Sequence, residues 1–245
     1  MTLLIIFLLL MIPIGLIGGY HHYKVMISPL YDSENTLLNY EILGTGKKKI
    51  ILLHGLTGSL NYWKRDLKNI THTHSLLLID LLGFGNSPKP KSKYSLAIQL
   101  NELEKIIAQE SYNDGETTVA GHSMGAIISL ALMEKQPTWF KAGIFISIPV
   151  YEDAKKHHWM SYYYSLTEVI LKTDLYEMAR KIRNKDVLFI HGEKDTTAPL
   201  ENALKLSKEF KNAQIITSSE GDHQFFLNEA EFVWNTIQDF TISEI

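Results

Sequence analysis

A serine stands between two glycines in Gly121-His122-Ser123-Met124-Gly125, directly after the apolar run Thr117–Ala120 and at the head of a helical pattern, Met124–Lys135. A G-x-S-x-G set between strand and helix forces a sharp turn. The turn lifts the serine hydroxyl above the end of a sheet, and the small residues let strand and helix approach closely enough to make it. A hydroxyl is a weak nucleophile at neutral pH, so it needs a general base within hydrogen-bond reach and a carboxylate to fix that base's tautomer. His223 follows the apolar run Gln214–Thr217, and Asp195 stands four residues past the run Val187–His191. Glu193 and Asp222 are competing carboxylates, two residues and one residue from these positions. Acyl chemistry further requires two donors aimed at the oxygen that becomes negative. The backbone N–H of Met124 would be one, because the first amides of a helix have no partner within it. The N–H of Leu56 would be the other, in the loop His54-Gly55-Leu56-Thr57-Gly58-Ser59, where two glycines permit a tight course.

These groups meet only if the runs that precede them are neighbouring strands with their ends at one edge. From about Val25 onward the chain alternates short aliphatic runs with amphipathic stretches, the pattern of an α/β fold with a mostly parallel sheet. Thr36–Leu43 alternates in polarity and predicts an early antiparallel strand, paired with Val25–Ser28. Lys49–His54, Ser75–Asp80, Thr117–Ala120, Gly143–Ile148, Val187–His191 and Gln214–Thr217 are continuous apolar runs, which suit strands buried on both faces. Helical spacing marks Leu96–Ile107, Met124–Lys135, Leu200–Phe210 and Phe225–Phe240. One interval breaks the rhythm. Tyr151–Arg183 is longer than a crossover needs and is rich in tyrosine, so it predicts a small helical insertion over the sheet edge.

His54-Gly55-Leu56, the stretch Asp80-Leu81-Leu82-Gly83-Phe84-Gly85-Asn86-Ser87, Gly121 to Gly125, His191-Gly192-Glu193-Lys194-Asp195 and Gly221-Asp222-His223 together resemble the α/β-hydrolase superfamily. The likeness is to its single-domain serine esterase and lipase-like members, and it runs from about Thr36 to the C-terminus. It implies an α/β-hydrolase fold, a mostly parallel central sheet flanked by helices, occupying residues 25–245 with a short helical cap at about 151–183. By the resemblance Ser123 is the nucleophile, His223 the base and Asp195 the acid, in the expected chain order. Leu56 and Met124 supply the oxyanion donors. Phe84, Trp159 and Tyr163 are expected to line the substrate pocket, although aromatic residues at such places equally serve packing. The expected reaction is hydrolysis of a small-molecule acyl ester, including lipid esters, through an acyl-enzyme and without a cofactor. Thioesterases, acyltransferases and carbon–carbon bond hydrolases share these motifs, and a catalytically silent binding module is the alternative of another class.

Composition excludes several other functions. With 24 Lys+Arg against 27 Asp+Glu the chain lacks the basic excess of a nucleic-acid binder. It has no cysteine, so disulfides, thiolate metal sites and cysteine nucleophiles are ruled out. Its histidine pairs lack carboxylate companions at ligand spacing and no H-E-x-x-H occurs, so no metal is expected. Gly83-Phe84-Gly85 lacks the third glycine of a dinucleotide fingerprint. Leu3–Gly19 carries no charged side chain, and as a helix its 17 residues would reach about 26 Å against roughly 30 Å of bilayer core. Residues 1–24 are therefore expected to form an N-terminal membrane anchor, an apolar helix that leaves the side faced by the rest of the chain open. Secretion after signal cleavage is the rival expectation.

Overall fold

The computed structural model describes Asp32, Glu34 and residues 37–67, 70–90, 95–151 and 173–242. The expected anchor at 1–24, the expected strand at 25–28, and Trp159 and Tyr163 of the insertion lie outside the described residues. No helix among the described residues is long and apolar enough to cross a membrane.

Among the described residues seven strands form one sheet: β1 (Tyr40–Leu43), β2 (Lys48–Leu53), β3 (His74–Ile79), β4 (Thr117–His122), β5 (Phe140–Ile146), β6 (Asp186–Gly192) and β7 (Asn212–Ser218). Their spatial order is β1-β3-β2-β4-β5-β6-β7, and β1 alone runs antiparallel, against β3. The helices are α1 (Ile70–Thr73), α2 (Leu96–Gln109), α3 (Met124–Lys135), α4 (Leu175–Lys181), α5 (Leu200–Ser207) and α6 (Ala230–Ile242).

Alternation within the apolar runs divides the core in two. Ile51, Leu53, Val119, Phe145 and Phe189 point to one face, beneath α2, α3, α4 and α5. Ile50, Leu52, Ile144, Ile146 and Leu188 point to the other, where Trp234 of α6, Trp63 of a 3-10 turn at Leu60–Lys64 and Phe226 of a second at Phe225–Leu227 cover them. Each fully buried side chain of this size stabilises the fold by roughly 1.5–3 kcal/mol. Helix α3 is buried at every position from Met124 to Met133, as a helix enclosed by sheet and neighbouring helices must be. Helix α2 is anchored by Gln99, whose buried amide both accepts from the Leu82 N–H at 3.2 Å and donates to the Leu82 carbonyl at 2.9 Å.

Two boundaries differ from the sequence expectation. Strand β5 starts at Phe140, paired with Thr117, and stops at Ile146 because Ser147 turns the backbone to φ +47°. The last helical stretch divides into a 3-10 turn at Phe225–Leu227 and α6, with Phe225 and Phe226 buried in the turn.

The chain passes from β3 back across β2 to β4, so successive connections leave β2 and β4 in opposite directions. Open α/β sheets place their ligand crevice outside the carboxyl ends of such a strand pair. Asp80, just past β3, secures that edge: its buried carboxylate accepts from the Leu60 N–H at 2.6 Å, Asn39 Nδ2 at 2.8 Å and the Asn86 N–H at 2.8 Å. Three loops thus hang on one side chain. Asp80→Ala, which strands these donors, is expected to lower the unfolding free energy by roughly 3 kcal/mol. Urea-unfolding curves read this directly, and a loss under about 1 kcal/mol would show that the donors find other partners.

Candidate active site

Ser123 links β4 to α3 with φ +53° and ψ −118°, a conformation that L-residues rarely adopt. The flanking glycines explain how it is held. A Cβ on Gly121 would lie 2.2 Å from the Gly125 backbone, and a Cβ on Gly125 would lie 2.2 Å from the Leu53 carbonyl oxygen. Strand, helix and neighbouring strand approach too closely for any side chain at either place. The turn is also hydrogen-bonded on both sides: the Ser123 N–H donates to Ile146 O at 2.9 Å, and Ser123 O accepts from the Ala126 N–H at 2.9 Å.

The serine hydroxyl lies 3.0 Å from His223 Nε2, and His223 Nδ1 lies 2.8 Å from Asp195 Oδ2. Loops after β4, β6 and β7 therefore bring together three side chains spread over 100 positions of sequence. The other Asp195 oxygen accepts from the Thr197 N–H at 2.9 Å and the Ala198 N–H at 2.7 Å. Burial alone would raise the Asp195 pKa, but the hydrogen bond from His223, the Ala198 N–H and the nearby imidazoles outweigh it and hold the carboxyl below its usual value. An ionised Asp195 can only accept, so His223 carries its proton on Nδ1 and presents a bare Nε2 to the hydroxyl. The competing carboxylates are engaged elsewhere: Glu193 accepts from Thr217 Oγ1 at 2.7 Å, and Asp222 from the Gln224 N–H at 2.8 Å.

At the ends of β2 and β4 the loop 54–58 folds against the elbow. A Cβ on Gly55 would lie 3.2 Å from Ser123 Cβ, so the loop packs closely against the serine, and the Gly58 N–H closes the turn on Gly55 O at 3.1 Å. His54 braces this loop, its Nδ1 donating to Gly55 O at 2.7 Å while its Nε2 accepts from the Leu81 N–H at 3.0 Å. The Met124 side chain is buried in the core, so only its backbone is available to an oxyanion. Phe84 packs edge-on against His54 and lines a cavity of about 420 Å³ with Thr57, Asn61 and Asn86, on the β3 side of the oxyanion loop. Trp63 is fully buried among Tyr62, Phe226 and Trp234 and belongs to the core.

Two side chains carry more than the sequence pattern assigned them. His122, a filler position in the G-x-S-x-G turn, places Nε2 at 2.8 Å from the main-chain oxygen of His223. His191, the penultimate residue of β6, donates from Nε2 to Ala198 O at 2.6 Å and so closes the loop that carries Asp195. The period-2 alternation of β4, which sets His122 on the same face as Ala120, is the one sequence signal that points the first of these toward the C-terminal elements.

A family model described as the alpha/beta hydrolase fold matches residues 48–185, more than half of the chain. The protein is a member of the α/β-hydrolase family. A second model, described as TAP-like protein, matches residues 171–243 of this α/β-hydrolase. Among named relatives, "Probable lysophospholipase BODYGUARD 3" of Arabidopsis thaliana is 32% identical over 112 residues, covering 44% of this chain and 22% of that protein. "Probable lysophospholipase BODYGUARD 4" of the same plant is 36% identical over 107 residues, covering 42% and 25%. "Lipase 3" of Moraxella sp. is 34% identical over 94 residues, covering 38% and 29%. The matched segment therefore spans under a third of each of these relatives. Solved structures share the fold across most of their length. An esterase from Exiguobacterium antarcticum superposes with a TM-score of 0.72 at 20% identity, covering 86% of this chain and 97% of that one. An enol-lactonase from Burkholderia xenovorans superposes with a TM-score of 0.74 at 18% identity, covering 86% and 99%.

The buried imidazoles of this α/β-hydrolase set its response to acid. His54, His74, His122 and His191 are all held below the ordinary histidine value, chiefly by burial, His74 at about 4 and His122 at about 3. A folded-state pKa below the unfolded value of roughly 6.5 means that the unfolded chain takes up these protons first. Their contribution to stability is thus complete above about pH 6.5 and is lost as pH falls toward the folded values. The unfolding free energy is expected to decline steadily from pH 6.5 to pH 4.5 in denaturant titrations. A flat profile over that range would show that the folded protein accommodates the charged rings.

Proposed function

We propose that this α/β-hydrolase cleaves carboxylic esters, lipid esters among them, through an acyl-enzyme on Ser123. The observation that carries the reading is the continuous hydrogen-bonded relay from the Ser123 hydroxyl through His223 to Asp195, at 3.0 and 2.8 Å. In the first step Ser123 Oγ attacks the ester carbonyl carbon while His223 Nε2 takes the hydroxyl proton. Asp195 keeps the ring in its Nδ1–H tautomer and stabilises the imidazolium. The carbonyl oxygen becomes an oxyanion between the N–H groups of Met124 and Leu56, donors worth several kcal/mol to a transition state. Collapse of the tetrahedral adduct breaks the bond to the leaving alkoxide oxygen, which His223 protonates. Water then enters by the same route in reverse: His223 removes its proton, the acyl group passes to it, and the serine hydroxyl is restored. The preference for lipid acyl chains rests on the resemblance to proteins named lysophospholipase and lipase.

The test is covalent capture and turnover with the same preparation. A fluorophosphonate probe is expected to label the wild-type protein and to leave Ser123→Ala unlabelled. Ester turnover in that variant is expected to fall by about 10⁶, with thermal stability within about 1 kcal/mol of wild type. Undiminished hydrolysis by Ser123→Ala would overturn the assignment. A series of p-nitrophenyl and glyceryl esters from short to long acyl chains reads the substrate class, and a sharp optimum at short chains would overturn the lipid preference.

A further inference from the structure

His122 immediately precedes the nucleophile, yet its side chain does not face the substrate crevice. Strand alternation sets it with Ala120 on the face covered by α6, where it is 2% exposed. Its Nε2 lies 2.8 Å from the carbonyl oxygen of His223. A carbonyl can only accept, so the imidazole proton sits on Nε2 and donates to the backbone of the very residue whose side chain reaches Ser123. Burial holds the ring far below the ordinary histidine value, at about 3, so it is neutral and has one N–H to place.

The ring is also fixed from behind. Tyr62 stacks on His122 with centroids 4.9 Å apart and planes 22° apart, and Phe226 stacks on Tyr62 at 4.8 Å and 26°. Phe226 lies three residues beyond His223 in the same loop. His122 therefore holds that loop at two points, by a hydrogen bond at residue 223 and through the Tyr62 ring at residue 226. Its opposite edge abuts the oxyanion loop, since a Cβ on Gly55 would come within 2.8 Å of His122 Nδ1. One rigid ring spans the gap between the loop that carries the base and the loop that carries the oxyanion donor.

We infer that His122 is a positioning residue, whose Nε2–H fixes the main chain of His223 and thereby the distance from the base to the Ser123 hydroxyl. The inference rests on the esterase reading above. Its physical basis is the steepness of proton transfer and attack with geometry: a misplacement of about 1 Å costs on the order of a hundredfold in rate. A ring that braces the base without touching substrate should act on kcat and leave substrate affinity alone.

Two substitutions separate positioning from packing. His122→Phe keeps a flat ring against Tyr62 and removes the donor. His122→Gln restores an N–H donor the same number of bonds from Cα. With p-nitrophenyl butyrate, His122→Phe is expected to lose about tenfold in kcat with KM within about twofold of wild type, and His122→Gln to recover most of the loss. The inference is overturned by a His122→Phe protein that keeps kcat within about twofold, by a loss that glutamine does not recover, or by a change confined to KM. If His122→Phe does not fold, ¹⁵N shifts of the wild-type imidazole decide the matter: a proton on Nε2 supports the inference and a proton on Nδ1 overturns it. A wild-type protein that hydrolyses no ester and takes up no fluorophosphonate would instead remove the esterase reading, and this inference with it.

Discussion

The contact on which the site depends is the close approach of the first turn of α3 to the backbone of β2. Gly125 meets the Leu53 carbonyl where no side chain could fit, and Gly121 meets Gly125 in the same way. Strand and helix pressed together this tightly leave the residue between them only a left-handed turn, and Ser123 takes it at φ +53°. A residue held in so sparsely populated a region costs on the order of 1–3 kcal/mol, which persists only where the surroundings over-determine it. Here the burial of α3 from Met124 to Met133 supplies that constraint. The strained turn sets the Ser123 hydroxyl at the head of α3, with the loop 54–58 packed against it.

Four imidazoles surround this turn, and hydrogen bonding assigns each a separate task. The Nε2 atoms of His54, His122 and His191 are committed to Leu81, His223 and Ala198 respectively. His223 alone directs Nε2 at the serine, and it alone has a carboxylate on its other nitrogen. Burial holds the three committed rings below the ordinary histidine value, so none sets a positive charge beside His223 at neutral pH. The electrostatic design of the site is thus as much in the rings that stay uncharged as in the one that bridges Ser123 and Asp195.

Much of this architecture was legible in the residues. Continuous apolar runs located six strands, five of them buried and the sixth, β7, an edge strand that leaves Ile216 38% exposed. Ser123, Asp195 and His223 stand just past three of them, because a side chain after a parallel strand has only one edge at which to appear. Asp195 was favoured over Glu193 and Asp222 by its place past a strand and by the family pattern, and in the structure it pairs with His223 while the other two are tied to Thr217 and to the Gln224 amide. The partner of β1 was not legible: alternation predicts an edge strand but carries no register, and β1 pairs with β3. Strand β5 and the start of α6 shifted by a few residues, since apolar content marks burial and not the residue at which the backbone turns. Asp80 and His122 were recognised only as parts of motifs. Their work is in long-range hydrogen bonds, to Leu60 across 20 positions and to His223 across 101, which no local pattern records.

The nucleophile hangs from the middle of the sheet, and its base and acid hang from the last two strands. Synthesis proceeds from the N-terminus, so a growing polypeptide that has emerged only as far as β5 already contains Ser123 and the loop 54–58. It still lacks the imidazole that would make the hydroxyl reactive. Asp195 and His223 follow only with β6 and β7 and the loops after them. A product that stalls before β7 therefore carries the serine without the imidazole that lies 3.0 Å from it in the finished fold.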